Sequence, residues 1–118
     1  MPLHYNLSKV YFLTERKPEV IQAMVITFIE ESSVALKNIK KGIDKKNYEQ
    51  VFNYASSLES TLELFGLDNA HDDTLRIITW TSTKGKKKEI KETFKEFKNL
   101  VKLAIKELKK DYKLSPIS

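Results

Sequence analysis

Between residues 90 and 108 the apolar side chains fall at Ile90, Phe94, Phe97, Val101, Ala104 and Leu108, in alternating steps of four and three. That rhythm keeps one narrow stripe on one side of an α-helix. A strand cannot satisfy it, because its faces exchange at every second residue. A seam this regular has to be buried against other helices, so it decides the fold class before anything else is read. Leu100, Leu103 and Ile105 widen the stripe, and Tyr112 is placed to close its end. Pro116 lies beyond it, and residues 114–118 are expected to fray.

Upstream the same period recurs. Pro18 suits a first helical turn, where its missing N–H costs nothing, and Glu19 complements the positive helix end. Ile21, Met24, Val25, Phe28, Ala35, Leu36, Ile39 and Ile43 then predict one long helix over 18–43, weakest at Ser32-Ser33. Gly42 and Asp44 read as its end. Asn47 with Gln50 has the form of a capping box for a third helix. That helix carries Val51, Tyr54, Ala55, Leu58, Leu62 and Phe65 inward, and Gly66 stops it. Asp68 is expected to cap a fourth, with Ala70, Leu75, Ile78 and Trp80 facing the core. The run Thr79–Thr83 has poor helical propensity, so helix there needs support from packing. Thr83-Lys84-Gly85 forms the next turn. Leu7, Val10, Tyr11 and Leu13 suit one or two helical turns laid across a bundle end.

Four long amphipathic segments joined by short turns predict an all-α chain, an antiparallel up-down four-helix bundle with a short extra N-terminal helix. At 118 residues it makes one domain, 1–118, with residues 1–6 also expected to fray. Apolar residues at 41% provide a core, which sets the chain apart from disordered sequences. The absence of cysteine removes disulfides, thiolate nucleophiles and cysteine-ligated metals. With no leader and no long apolar run, a cytoplasmic protein that does not span a membrane is expected.

Charge is unevenly placed. From Lys84 to Lys113 twelve lysines stand against five acids, although the net charge of the whole chain is only +5. The interleaving of acids at helical spacing reads first as a solvated face. The alternative is a basic helix binding nucleic acid or another acidic partner through Lys86, Lys87, Lys88, Lys91, Lys95, Lys98 and Lys102. Against this alternative, the segment lacks arginine and spends Phe94 and Phe97 on the core stripe, and nucleic acid is not the expected partner.

The third helix turns Asn53, Ser56, Ser57, Glu59, Ser60 and Glu63 away from its core stripe. Ser56 lies three or four residues from Phe52, Asn53, Glu59 and Ser60, so these side chains share a patch. Phe52 stands at its edge, an aromatic that the core stripe does not need.

The run Ala55-Ser56-Ser57-Leu58-Glu59-Ser60, with Gly66 ten residues after Ser56, resembles the histidine-containing phosphotransfer (HPt) family. The family pattern is roughly Ala-His-x-Leu-Lys-(Gly/Ser)-(Ser/Ala) followed by that glycine, and Ala55, Leu58, Ser60 and Gly66 match it. Tyr5-Asn6-Leu7-Ser8, Phe28-Ile29-Glu30-Glu31 and Asn47-Tyr48-Glu49 also follow the family's habit. The resemblance implies a helical bundle that meets response-regulator receiver domains or hybrid histidine kinases in two-component phosphorelays.

Two departures deny the expected chemistry. Ser56 takes the place of the phosphoacceptor histidine, and Glu59 that of the lysine one turn later. A serine hydroxyl without a base is a poor nucleophile, and its ester lacks the transfer potential of a phosphoramidate. A phosphoryl group there would also meet the Glu59 carboxylate at about 5–6 Å, a repulsion of up to a few kcal/mol. The resemblance therefore implies a degenerate, monomeric HPt-like module that docks a receiver and carries no phosphate. Its surface would comprise Phe52, Asn53, Ser56, Glu59, Ser60 and Glu63, flanked by the preceding long helix.

No other constellation points to catalysis, to a cofactor or to a metal. His4 precedes the first element and reads as a surface residue. His71 belongs to the fourth helix and lacks the Leu-Lys continuation, which leaves it an ordinary exposed or capping residue. Its neighbours Asp72 and Asp73 do not share its face as ligands would. Ser56 has no adjacent His or Lys base, and no Gly-rich phosphate loop is present, so no enzyme is expected.

Overall fold

The structure, a computed structural model, describes residues 3–113, and it is all-helical there, with no strand among the described residues. A short α1 (Ser8–Thr14) precedes four long helices, α2 (Pro18–Asp44), α3 (Tyr48–Leu64), α4 (Asp68–Thr83) and α5 (Lys87–Asp111). In space α2 packs on α3, α3 on α4 and α4 on α5, and α5 returns to α2, while α1 rests on α2. No helix among the described residues is long and apolar enough to cross a membrane.

The α5 seam is buried as its spacing requires, from Ile90 through Phe94, Phe97, Val101 and Ala104 to Leu108. Ile105 joins it, Leu100 is half-buried, and Leu103 faces solvent. In α2 the stripe from Ile21 to Ile43 is buried except for Met24, which is half-buried. Ser32 sits inside that stripe, fully buried, with its hydroxyl oxygen lacking a hydrogen-bond partner. The helix runs straight through the Ser32-Ser33 pair because flanking apolar contacts override weak propensity. Phe28 of α2 stacks on Phe65 at a ring separation of 4.4 Å, which joins the two helices near the end of α3.

Helix ends follow one device. After α3, the Gly66 N–H bonds the Glu63 carbonyl at 3.1 Å and the Leu67 N–H reaches the Leu62 carbonyl at 2.9 Å. This is a Schellman stop, and it needs a left-handed residue, here Gly66 at φ 71°. A Cβ on Gly66 would also come within 2.6 Å of the Asn6 Cβ and 2.8 Å of the Asn6 carbonyl oxygen. Lys46 and Lys84 take the left-handed role after α2 and α4, at φ 53° and 52°. α2 ends at Asp44, within one residue of the expected position, and Gly42 is not itself the stop. It lies within the helix, where a Cβ would meet the Val51 side chain at 2.6 Å, and its absence lets α3 approach.

Several local expectations are corrected. Asn47 accepts the Gln50 N–H at 3.1 Å, but the Gln50 side chain completes no capping box. It crosses to the Asn38 carbonyl on α2 at 2.8 Å instead. Asp68 is the first residue of α4 rather than its cap; Leu67 holds that position without a side-chain bond. The buried face of α4 is Ala70, Asp73, Thr74, Ile77, Trp80 and Thr81, whereas Leu75 is exposed and Ile78 half-buried. Trp80 sets this rotation: its ring lies 4.9 Å from that of Tyr48, and its N–H donates to the Lys86 carbonyl at 2.9 Å. Hydroxyls of Thr79, Thr81, Ser82 and Thr83 donate back to carbonyls one turn earlier and are satisfied within the helix, while burial of Trp80 and Thr81 supplies the packing that the unfavourable run needs.

Residues 3–6, expected to fray, are tied down. The Leu3 and His4 N–H groups donate to the Glu107 carboxylate at 2.9–3.1 Å, and the Asn6 N–H donates to the Phe65 carbonyl at 2.8 Å. The buried Tyr5 hydroxyl donates to Asp111 at 2.5 Å. Burial, and then this carboxylate, push the Tyr5 phenol well above its ordinary pKa. Burial alone would raise the Glu107 carboxyl, yet the two backbone donors leave it below its usual value. Tyr112 closes the α5 end as expected, 3.4 Å from the Tyr11 hydroxyl. The expectations for residues 1, 2 and 114–118 lie outside the described residues.

Candidate functional site

The exposed face of α3 is built by the period of its core. Val51, Ala55, Leu58 and Leu62 are buried between the neighbouring helices. Helical geometry then turns residues 53, 56, 57, 60 and 63 to the opposite side. Asn53, Ser57, Ser60 and Glu63 are exposed, and Ser56 and Glu59 are half-buried. Phe52 is 44% exposed, which leaves almost half an aromatic side chain in water. All six residues of the expected surface thus lie on one accessible face, with Ser56 near its centre. Ala55 and Leu58 serve the core, and Gly66 serves the helix stop.

The face is less acidic than its sequence implies. His71 of α4 points across at α3, its Nε2 lying 3.8 Å from Glu59 Oε1 and 3.9 Å from Glu63 Oε2. Lys9 of α1 approaches Glu63 from the other side at 3.6 Å. The two carboxylates therefore have cationic neighbours, one of them conditional on imidazole protonation. His71 is only 20% exposed, and its Nε2 is buried without a hydrogen-bond partner. That nitrogen is shielded from solvent. The exposed or capping role expected of His71 is replaced by an interhelical one. His4 is likewise half-buried, with Nδ1 3.7 Å from Glu107.

Two shallow depressions continue the face beyond the residues singled out from sequence. One, of 340 Å³, is lined by Lys9, Ser60, Thr61, Glu63 and Leu64. The other, of 270 Å³, lies between α2 and α3 and is floored by Val20, Met24, Phe28, Leu64 and Phe65. They share Thr61 and Leu64, so the polar patch passes into an apolar one toward α2. Phe12 and Leu13, 84% and 64% exposed, add unburied apolar area on α1. The sequence signal for this extension was the surplus of apolar residues on α1 and early α2 beyond what a core stripe needs.

A second polar centre escaped sequence reading. Asp73 is fully buried, held at 2.9 Å by Arg76 through Oδ1, while Oδ2 has no hydrogen-bond partner. Burial, reinforced by the Glu96 carboxylate beside it, pushes the Asp73 carboxyl up to about 7 despite Arg76. Its signal was available: position 73 lies on the 70, 74, 77, 81 stripe, where an acid is out of place.

Fold and site together define an all-helical protein that presents a serine-centred, mixed-charge helix face continuous with an apolar depression. No protein-family model, no curated protein and no solved structure matches the chain.

Proposed function

We propose that the chain is an HPt-like docking module that binds a response-regulator receiver domain and carries no phosphate. In this reading the four long helices form an antiparallel up-down bundle, as short connections and cyclic packing order favour. The observation that carries the reading is the position of Ser56, accessible at the centre of the α3 face with Glu59 one turn away. No imidazole nitrogen is offered at that spot, and Nε2 of the nearby His71 is buried against α3.

Docking does not need the missing nitrogen. Affinity comes chiefly from a few desolvated apolar anchors surrounded by polar contacts. Phe52 at one edge and the Val20–Met24–Leu64 depression at the other provide such anchors, with Asn53, Ser60 and Glu63 between them. The lysine-rich α5 face lies elsewhere, and Phe94 and Phe97 are buried, which leaves that face without aromatic platforms for nucleotides.

The test is to incubate the protein with a panel of receiver domains, each charged with radiolabelled phosphate at its aspartate. Expected is saturable binding to at least one receiver, with no acid-labile label passing to this chain. Label on this chain, or no receiver bound at micromolar concentrations, overturns the proposal.

A further inference from the structure

Between α2 and α5 runs a groove of 660 Å³ that shares no residue with the α3 surface. These two helices are the least closely packed of the four neighbouring pairs of long helices. The floor is apolar, formed by Ile29, Leu36, Phe94 and Ile105. Five lysines stand along it, Lys37 and Lys40 from α2 and Lys98, Lys102 and Lys109 from α5, with Glu30 as the one acid in the lining. Lys40 is paired with Asp44 at 2.9 Å. The other four make no ion pair among the described residues.

We propose that this groove receives an acidic amphipathic helix of a protein partner, laid along it with apolar residues down and carboxylates toward both rims. Three observations select that occupant. The floor is apolar, and a nucleic acid backbone would gain nothing from it. Positive charge lines the α5 side from Lys98 to Lys109, over about 16 Å at 1.5 Å per residue, and Lys37 and Lys40 face it from α2. A single anionic headgroup would instead call for lysines gathered at one end. A helix of about three turns, with apolar residues at i, i+3, i+4 and i+7, matches this length and charge together.

The proposal can be tested on the whole chain with a fluorescein-labelled peptide of about four helical turns. Its apolar face carries Leu and Ile, and its flanks carry Glu. Expected is saturable binding that weakens at least about tenfold when the peptide is scrambled at constant composition. Lys98→Glu with Lys102→Glu should cost a similar factor, while Lys86→Glu with Lys87→Glu, outside the groove, should leave binding unchanged. Far-UV circular dichroism checks that each variant is folded. Amide chemical-shift changes in the unaltered protein supply a second readout, expected at Ile29, Leu36, Phe94 and Ile105. The proposal fails if the scrambled peptide or a DNA duplex binds as tightly as the amphipathic one. It also fails if the shifts map elsewhere, or if the unliganded protein self-associates through these residues.

Discussion

Nε2 of His71 lies 3.8 Å from Oε1 of Glu59, so the imidazole of α4 is spent on the α3 carboxylates rather than offered to solvent. A long, partly exposed contact of this kind contributes up to about 1 kcal/mol when the imidazole is protonated, and less when it is neutral. His71→Gln is therefore expected to lower stability by no more than that, measured by urea unfolding. Phosphoryl transfer from a charged receiver should be at background before and after the change.

In the proposed reading position 56, half-buried on the α3 face, stands where a phosphoacceptor would, with a serine in place of an imidazole. Ser56→His combined with Glu59→Lys is expected to create acid-labile phosphate on this chain, detected after incubation with a charged receiver. Ser56→His alone should label more slowly by roughly tenfold or more, since the carboxylate one turn away opposes the incoming charge. Equal labelling of the two variants would sink this account of Glu59.

Phe52 holds a ring half in water without a core role. Phe52→Ala is expected to weaken receiver binding by about 1–2 kcal/mol, about tenfold, while unfolding stability moves by less than about 0.5 kcal/mol. Calorimetric titration and urea denaturation read the two quantities. A large stability loss with unchanged affinity would reassign Phe52 to the core.

Asp73 makes stability depend on pH in an unusual direction. Its folded carboxyl is raised to about 7, whereas an unfolded aspartate titrates near about 3.9. Between those values the folded state holds a proton that the unfolded state has released, so stability falls as pH rises through this window. Urea midpoints should drop from pH 5 to pH 8. Asp73→Asn should flatten this dependence and raise the midpoint most at the alkaline end. A midpoint that climbs over the same range would contradict the assignment.

Gly66 is required for both conformation and space. Gly66→Ala forces a left-handed alanine and drives its Cβ into Asn6. A loss of at least about 2 kcal/mol is expected in thermal or chemical unfolding. Gly66→Asn, which eases only the backbone term, should recover no more than about 1 kcal/mol of that loss, because the contact with Asn6 remains.

Helices and their inner stripes were legible because burial follows period. Ile90 to Leu108 and Ile21 to Ile43 could be read almost residue by residue. The rotation of α4 was not legible, because Leu75 and Ile78 are as apolar as Ile77. What decides among them is Trp80, held by Tyr48 and by the Lys86 carbonyl from two other parts of the chain. The end of α2 was legible to within one residue, but the role of Gly42 was not: it serves a close approach to Val51, while a lysine takes the left-handed turn. The accessible α3 face could be found from spacing alone. The interhelical neighbours that change its charge, His71 and Lys9, lie eight or more residues away and come together only through packing.

The clasp between residues 3–5 and the Glu107–Asp111 turn brings the first and last described residues to the same pole of the molecule. A short Gly/Ser bridge from residue 113 to residue 3 would then close the described chain, with new termini opened at the exposed Lys84 turn. Such a permuted chain would retain every helix–helix contact among the described residues.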